Sequence, residues 1–334
     1  MKKVVLVMCG GKGSRLWPVS TSDKPKQFLE IINEKSLLQN TLDRIPSDYL
    51  KIFISNIKYK LELDPYINEK DIVIYEPIAR NTGQAIYVAC SYLKKTYTDN
   101  FQILALPCDH IFDDQKFCEL LEEGMKQLSE NLTKPIITFG IKPTYPEPGF
   151  GYIQKKDNKI TKFIEKPTKE RAMELIQQGC LWNSGLFIFK LNTILRLYKK
   201  FNNENINLCN DSLSNAKIKN NCIILADEYS RTESISFDNL IMEKIDNGIV
   251  LEYNGPWSDI GDWKRFSENY ISGNENKTFG NNIEMLKSTN TLVHSDHGEV
   301  IAIGVKNLVI IKHGDNVLIM DKDHNDEFRK LMQK

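Results

Sequence analysis

Apolar positions in the first 200 residues follow two rhythms. Short β-branched or apolar runs at 4–8, 52–55, 72–75, 103–106 and 136–140 predict strands. Between them apolar residues recur at helical spacing. Ile86, Ala89, Cys90 and Leu93 share one face, with Thr82 placed to cap the start, and Phe117, Leu121 and Leu128 follow Asp113 and Asp114. Alternating strands and helices predict an α/β fold, a mostly parallel sheet with helices on both faces, whose ligands bind beyond the carboxyl ends of the strands. From about residue 274 the texture changes to short strands at 291–293, 300–303, 308–311 and 317–320, with turns at His297-Gly298 and at 313–316. The polar stretch 272–277 reads as a junction, giving a large domain over 1–272 and a small C-terminal β domain over 273–334.

Composition narrows the function classes. Lys plus Arg and Asp plus Glu number 44 each in 334 residues, so the chain lacks the positive field of a nucleic-acid binder and must bind any anion locally. The seven cysteines form no CxxC pair and read as free core thiols in a reducing compartment. The first apolar run spans only 4–9 before glycines and charge, which suits a buried strand better than an export signal. No stretch approaches the roughly 20 apolar residues of a membrane span. A cytoplasmic protein with no membrane partner is expected.

Candidate chemistry begins where the first strand ends. There Gly10-Gly11-Lys12-Gly13-Ser14-Arg15-Leu16 is followed by Pro25-Lys26-Gln27. Glycines after a strand let backbone N–H groups approach phosphate oxygens, and Arg15 and Lys26 add charge that the backbone lacks. The Walker spacing is absent, and Leu16 stands where a dinucleotide fingerprint needs its third glycine, which argues against a nicotinamide-dependent oxidoreductase. An ordinary strand-to-helix turn is the plainer alternative. Asp109, in Pro107-Cys108-Asp109-His110 at a strand's end, suits a magnesium ion or a simple turn, with His110 supporting the loop. Glu165-Lys166 follows a strand and precedes a helix opening near Thr168 and ending near Gly179, and is otherwise a solvated pair. Glu76, Arg80, Asn81 and Thr82 lie between a strand and the next helix.

Together these segments resemble one family. GGKGSRLWP at 10–18 with PKQF, EPIARNT at 76–82, LPCDH at 106–110, FGIKPTYPEPGFGYI at 139–153, FIEKP at 163–167, WNSGLFIF at 182–189, SFDNLIMEK at 236–244 and WSDIGDW at 257–263 are similar, in order, to the motifs of nucleotidylyltransferases that act on mannose 1-phosphate. The resemblance implies a Rossmann-like catalytic domain with a β-helix-like extension, and transfer of GMP from GTP to the sugar 1-phosphate. It implies Arg15, Lys26 and Lys166 as catalytic residues. Gly10, Gly11, Gly13, Ser14, Glu76, Asn81 and Thr82 would bind the nucleotide. Gly151, Glu165, Lys166 and Asn183 would bind the sugar phosphate, and Asp109 and Asp259 would hold Mg2+. Cys9 for Ala, Gly83-Gln84 for Ala-Pro, Pro148 for Thr, Phe150 for Tyr and Asp262 for Ser depart from the family's usual residues.

Other readings remain open from sequence. A related manno-configured sugar such as a heptose phosphate could replace mannose. An inactive nucleotide-binding regulatory relative would be expected to have lost charges that are here retained. The β domain carries no chemistry of its own, His294 and His297 reading as a solvated turn. The resemblance implies a homodimer formed through this region, and no appended sugar-phosphate isomerase domain after residue 334.

Overall fold

The computed structural model describes residues 2–11, 14–31, 35–131 and 135–332. Its contacts divide the chain into two compact units. One comprises 1–10, 44–108 and 113–255; the other gathers 11–43, 109–112 and 256–334. The units therefore do not follow a single cut at 272/273. Three separate stretches form the second unit because Trp257–Ser258 pairs with Ile111–Phe112, and Leu16, Val19 and Leu29 pack with Trp263, Phe266 and Val309.

The first unit is built on an eleven-stranded sheet. Its strands run in the order Lys217–Lys219, Cys222–Ile224, Ile72–Glu76, Leu50–Asn56, Lys3–Cys9, Gln102–Pro107, Leu181–Lys190, Ile136–Ile141, Ile249–Tyr253, Lys159–Ile164 and Tyr152–Lys156. Ile72–Glu76 through Gln102–Pro107 are parallel, as the sequence predicts, and Cys222–Ile224, which the sequence pattern did not mark, extends this parallel run. Beyond them the sheet becomes mixed. Leu181–Lys190 runs antiparallel to both Gln102–Pro107 and Ile136–Ile141, and Tyr152–Lys156 and Lys159–Ile164 form a hairpin. Lys3–Cys9 is near-continuously apolar because it lies inside the sheet with Val4 to Val7 fully buried.

The helix Asn81–Thr96 buries Ile86, Ala89, Cys90 and Leu93 as their spacing predicts. Thr82 does not cap it. Asn81 takes a left-handed φ of 62° and its Oδ1 accepts from Thr82 N, while Thr82 Oγ1 accepts from Phe237 N at 2.9 Å. The helix Asp114–Glu130 is capped by Asp113, whose carboxylate accepts from Lys116 N at 3.0 Å. Thr168 likewise caps Lys169–Gln177.

In the second unit, Lys277–Gly280, Leu292–Ser295 and Leu308–His313 stack as parallel strands, closed by antiparallel Asn316–Asp321. Ile283–Leu286 pairs in parallel with Val300–Ile303. Parallel pairing of such short strands makes successive β-helix-like turns. Asn290 and Asn307, both at positive φ, fix equivalent corners: Asn290 donates to Asn307 Oδ1 at 3.0 Å and Asn307 to Asp321 Oδ1 at 2.9 Å. His294 departs from its expected place in a solvated turn. It sits in Leu292–Ser295 with its ring stacked on Trp263, and burial pushes its pKa down to about 4.

Candidate active site

In the second unit a buried cation pairs with one acid and bonds the backbone of another. Lys26 belongs to a one-turn helix, Lys26–Phe28, and is only 6% exposed. Its Nζ lies 2.9 Å from Asp109 Oδ2 and donates to the backbone carbonyl of Asp259. Burial works against charge on Asp109, but Lys26 and then His110 outweigh it, holding the carboxyl below its ordinary value. Asp259 goes the other way. Burial raises it and Asp109 adds repulsion, against the opposing pull of Lys26 and Arg15. Arg265 Nη1 stands 3.3 and 3.4 Å from the two Asp259 carboxylate oxygens, a partner with no distinguishing mark in the sequence. His110 supports this loop, Nε2 3.9 Å from Asp109 and ring edge-on to Trp257.

Arg15 lies in Ser14–Leu16 and is exposed, free to meet a ligand. Lys12 and Gly13 lie outside the described residues, as does the side chain of Ser14. Among the described residues no three His, Cys, Asp or Glu side chains gather around a metal position. Two carboxylates that repel one another still fit magnesium, which takes one or two carboxylates and completes its shell with water and phosphate oxygens.

The first unit holds a second cluster. Lys166, at a left-handed φ of 44°, places Nζ 2.9 Å from Glu165 Oε1; the Lys side chain is 61% exposed and the Glu 8%. Gly151 explains itself here, since a Cβ would stand 2.7 Å from Glu165 Oε2 and 2.9 Å from the Phe163 ring. Asn183 N donates to Gly151 O at 2.8 Å, and Asn183 Nδ2 donates to Asp238 Oδ1 at 2.8 Å. Sequence reasoning assigned no role to Asp238. Burial and then the Glu165 charge raise its pKa, while Lys166 opposes them, so Asp238, Glu165, Lys166 and Asn183 form one electrostatic unit. The signal was available, because Asp238 lies in the SFDNLIMEK segment.

At the parallel strand ends of the same unit Glu76 is buried and accepts from the Tyr229 hydroxyl. Burial raises its pKa to about 7 despite that bond. Gly10 is its neighbour, a Cβ there falling 3.9 Å from Glu76 Oε2. Arg80 turns away to Ser230 O, and Asn81 is exposed. The Gly83-Gln84 departure has a local reason. A Cβ at Gly83 would be 2.6 Å from Ile235 O, and buried Gln84 accepts from Asn202 at 2.8 Å and donates to Glu233 O.

The first unit has an open α/β sheet with Glu165-Lys166 after its hairpin, the second has Lys26 pairing Asp109, and each set is of the class of groups that bind phosphate. The chain belongs to the nucleotidyl transferase family, whose model matches residues 4–273. Residues 280–334 match the MannoseP isomerase/GMP-like beta-helix domain. The chain is 30% identical to the mannose-1-phosphate guanylyltransferase of Klebsiella pneumoniae over 98% of its own length and 73% of the relative's. It is 31% identical to that of Salmonella montevideo, with the same coverage. Its structure is similar to that of a mannose-1-phosphate geranyltransferase from Thermus thermophilus, with a TM-score of 0.88 and 30% identity, covering 100% of this chain and 99% of that one.

Proposed function

We propose that the protein transfers GMP from GTP to mannose 1-phosphate, releasing pyrophosphate and forming GDP-mannose. The observation that carries this reading is buried Lys26 pairing Asp109 while binding the Asp259 carbonyl, on a chain similar to mannose-1-phosphate guanylyltransferases over nearly its whole length.

In this reading a sugar phosphate oxygen attacks the α-phosphorus, the new P–O bond forms, and the bond to pyrophosphate breaks. The nucleophile is already an anion, so the protein needs no general base. It supplies alignment and charge. Backbone groups at Gly10, Gly11 and Ser14 receive phosphate oxygens. Arg15 and Lys26 offset the charge that grows on the leaving pyrophosphate. Asp109 and Asp259 would hold Mg2+, which when bound would neutralise phosphate charge. Glu165 and Asn183 receive sugar hydroxyls, Gly151 allows close approach, and exposed Lys166 meets the sugar phosphate. Glu76 and Asn81 border the base. Thr82 supports them indirectly, because its hydroxyl holds Phe237 N.

Two further readings accompany this one. Seven cysteines without disulfides suit a reducing cytoplasm, and among the described residues no helix is long and apolar enough to cross a membrane. The β-helix-like strands expose Leu286, Ile301, Ile303, Val317 and Ile319, an apolar set suited to a second copy of the chain. Calorimetric titration of the magnesium forms of the four nucleoside triphosphates tests base choice. GTP is expected to bind at least about tenfold more tightly, the equivalent of about 1.4 kcal/mol; equal affinities would remove the guanylyl assignment.

A further inference from the structure

The turn carrying Asp259 has an unfavourable backbone conformation. Ile260, a β-branched residue, takes a left-handed φ of 44° while fully buried, a conformation such residues rarely adopt. Gly261 follows with no room for a side chain, since a Cβ would stand 2.9 Å from Asp259 Oδ2 and 2.7 Å from Arg265 Nη1. Its N–H instead donates to Asp259 Oδ1 at 3.1 Å, so the turn itself aims the carboxylate. A strained turn of this kind persists only when its surroundings over-determine it.

Asp262 supplies that constraint. It is completely buried, and one carboxylate oxygen caps Trp263–Glu268 by accepting from Arg265 N at 3.0 Å. The other oxygen accepts from Asn325 Nδ2 at 3.0 Å and Arg329 Nε at 2.7 Å, and Arg329 Nη2 also pairs with it. Asn325 and Arg329 lie one turn apart on Asn325–Leu331, so a single helix face grips the carboxylate. The capped helix returns two contacts to the chemistry. Arg265 pairs with Asp259, and Trp263 Nε1 donates to Trp17 O at 2.7 Å, in the segment following the glycine loop. Serine in place of Asp262 would cap the helix equally well but is too short and uncharged to anchor Arg329.

We propose that Asp262, Asn325 and Arg329 are positioning residues: the C-terminal helix clamps the 259–262 turn and so sets the Asp259 carboxylate for a divalent cation. The inference rests on the metal-holding role given to Asp259 above. Losing the outer partner of a metal ligand costs about 10–100-fold in metal affinity.

The test measures water-proton relaxation enhancement in the ternary complex of the full chain, Mn2+ and GTP, which separates protein-held Mn2+ from Mn2+ on free nucleotide. Asp262→Ser keeps the cap and removes the clamp, and is expected to weaken Mn2+ binding by about tenfold or more. Arg329→Ala should do the same, Arg329→Lys should recover part of the loss, and the double variant should be no worse than Asp262→Ser alone. KM for the sugar phosphate should stay unchanged while the Mg2+ requirement rises. If Asp262→Ser fails to fold, Arg329→Lys and Arg329→Ala carry the comparison. Wild-type Mn2+ affinity in the clamp variants, with Asp259→Asn abolishing it, would overturn the clamp alone. Wild-type affinity in Asp259→Asn would instead overturn the metal assignment on which the clamp depends.

Discussion

At the scale of single residues, charge at the glycine loop and the raised acid at Glu76 make separate predictions. Arg15 is exposed, so Arg15→Ala tests function with little risk to the fold. Its turnover is expected to fall about 10²-fold or more, as for loss of a preorganised stabiliser, measured by steady-state pyrophosphate release. Unchanged turnover would remove Arg15 from the mechanism. Lys26→Ala should lower turnover comparably, but it also strands Asp109 beside a buried void, so its thermal midpoint should drop as well.

Glu76 titrates near 7 when folded because burial raises it from 4.5. Between those two values the folded chain retains a proton that the unfolded chain has lost, so stability falls as pH rises through that window and levels off above it. Glu76→Gln should flatten this slope, worth at most about 3 kcal/mol. Denaturant titrations at pH 5 and pH 8 read it, and an unchanged slope would sink the assignment. Arg15 and Lys26 stood out in sequence as charges accompanying the glycine loop, and Asp109 as a charge at a strand's end. Arg265 and Asp238 did not, since each gains its partner only through folding across a turn or between distant elements.

At the scale of elements, local pattern was informative where the sheet is parallel and fully covered. Val4 to Val7 and Ile103 to Leu106 form unbroken apolar runs because both faces are buried. The strand Tyr152–Lys156 escaped the pattern, as Gln154, Lys155 and Lys156 are polar and at least partly exposed, whereas its partner Lys159–Ile164 stands where a strand was expected before Glu165. Leu181–Lys190 escaped it because Asn183, Ser184 and Gly185 interrupt the apolar run. Asn81 at positive φ displaced the expected Thr82 cap, a backbone choice that propensity does not encode.

Close strand packing gives a prediction of its own. Gly140 lies where the pairing of Ile136–Ile141 with Leu181–Lys190 shifts register, and a Cβ there would meet Leu181 at 2.5 Å and Val250 at 2.9 Å. Gly140→Ala should destabilise the protein by about 1–3 kcal/mol, seen as a lower urea midpoint. An unchanged midpoint would show that the neighbours yield without cost.

At the scale of the whole molecule, the order of motifs indicated the family and the two textures of the chain, and the family matches over 4–273 and 280–334 agree with both. The gathering of 11–43 and 109–112 with 256–334 was not legible, because it depends on pairing and packing between segments far apart in the chain. If the exposed apolar set at Leu286, Ile301, Ile303, Val317 and Ile319 pairs two copies as proposed, sedimentation should give a dimer, which Ile303→Lys should shift towards monomer. A monomeric wild type would end that reading.

Whole-molecule function is tested most directly by pyrophosphate release with Mg2+, pairing each nucleoside triphosphate with a panel of sugar 1-phosphates and identifying the nucleotide sugar by mass. The expected result is stoichiometric pyrophosphate and GDP-mannose from GTP and mannose 1-phosphate, with other pairs slower. Faster turnover of a heptose phosphate, or bound GTP with no pyrophosphate released from any pair, would contradict it.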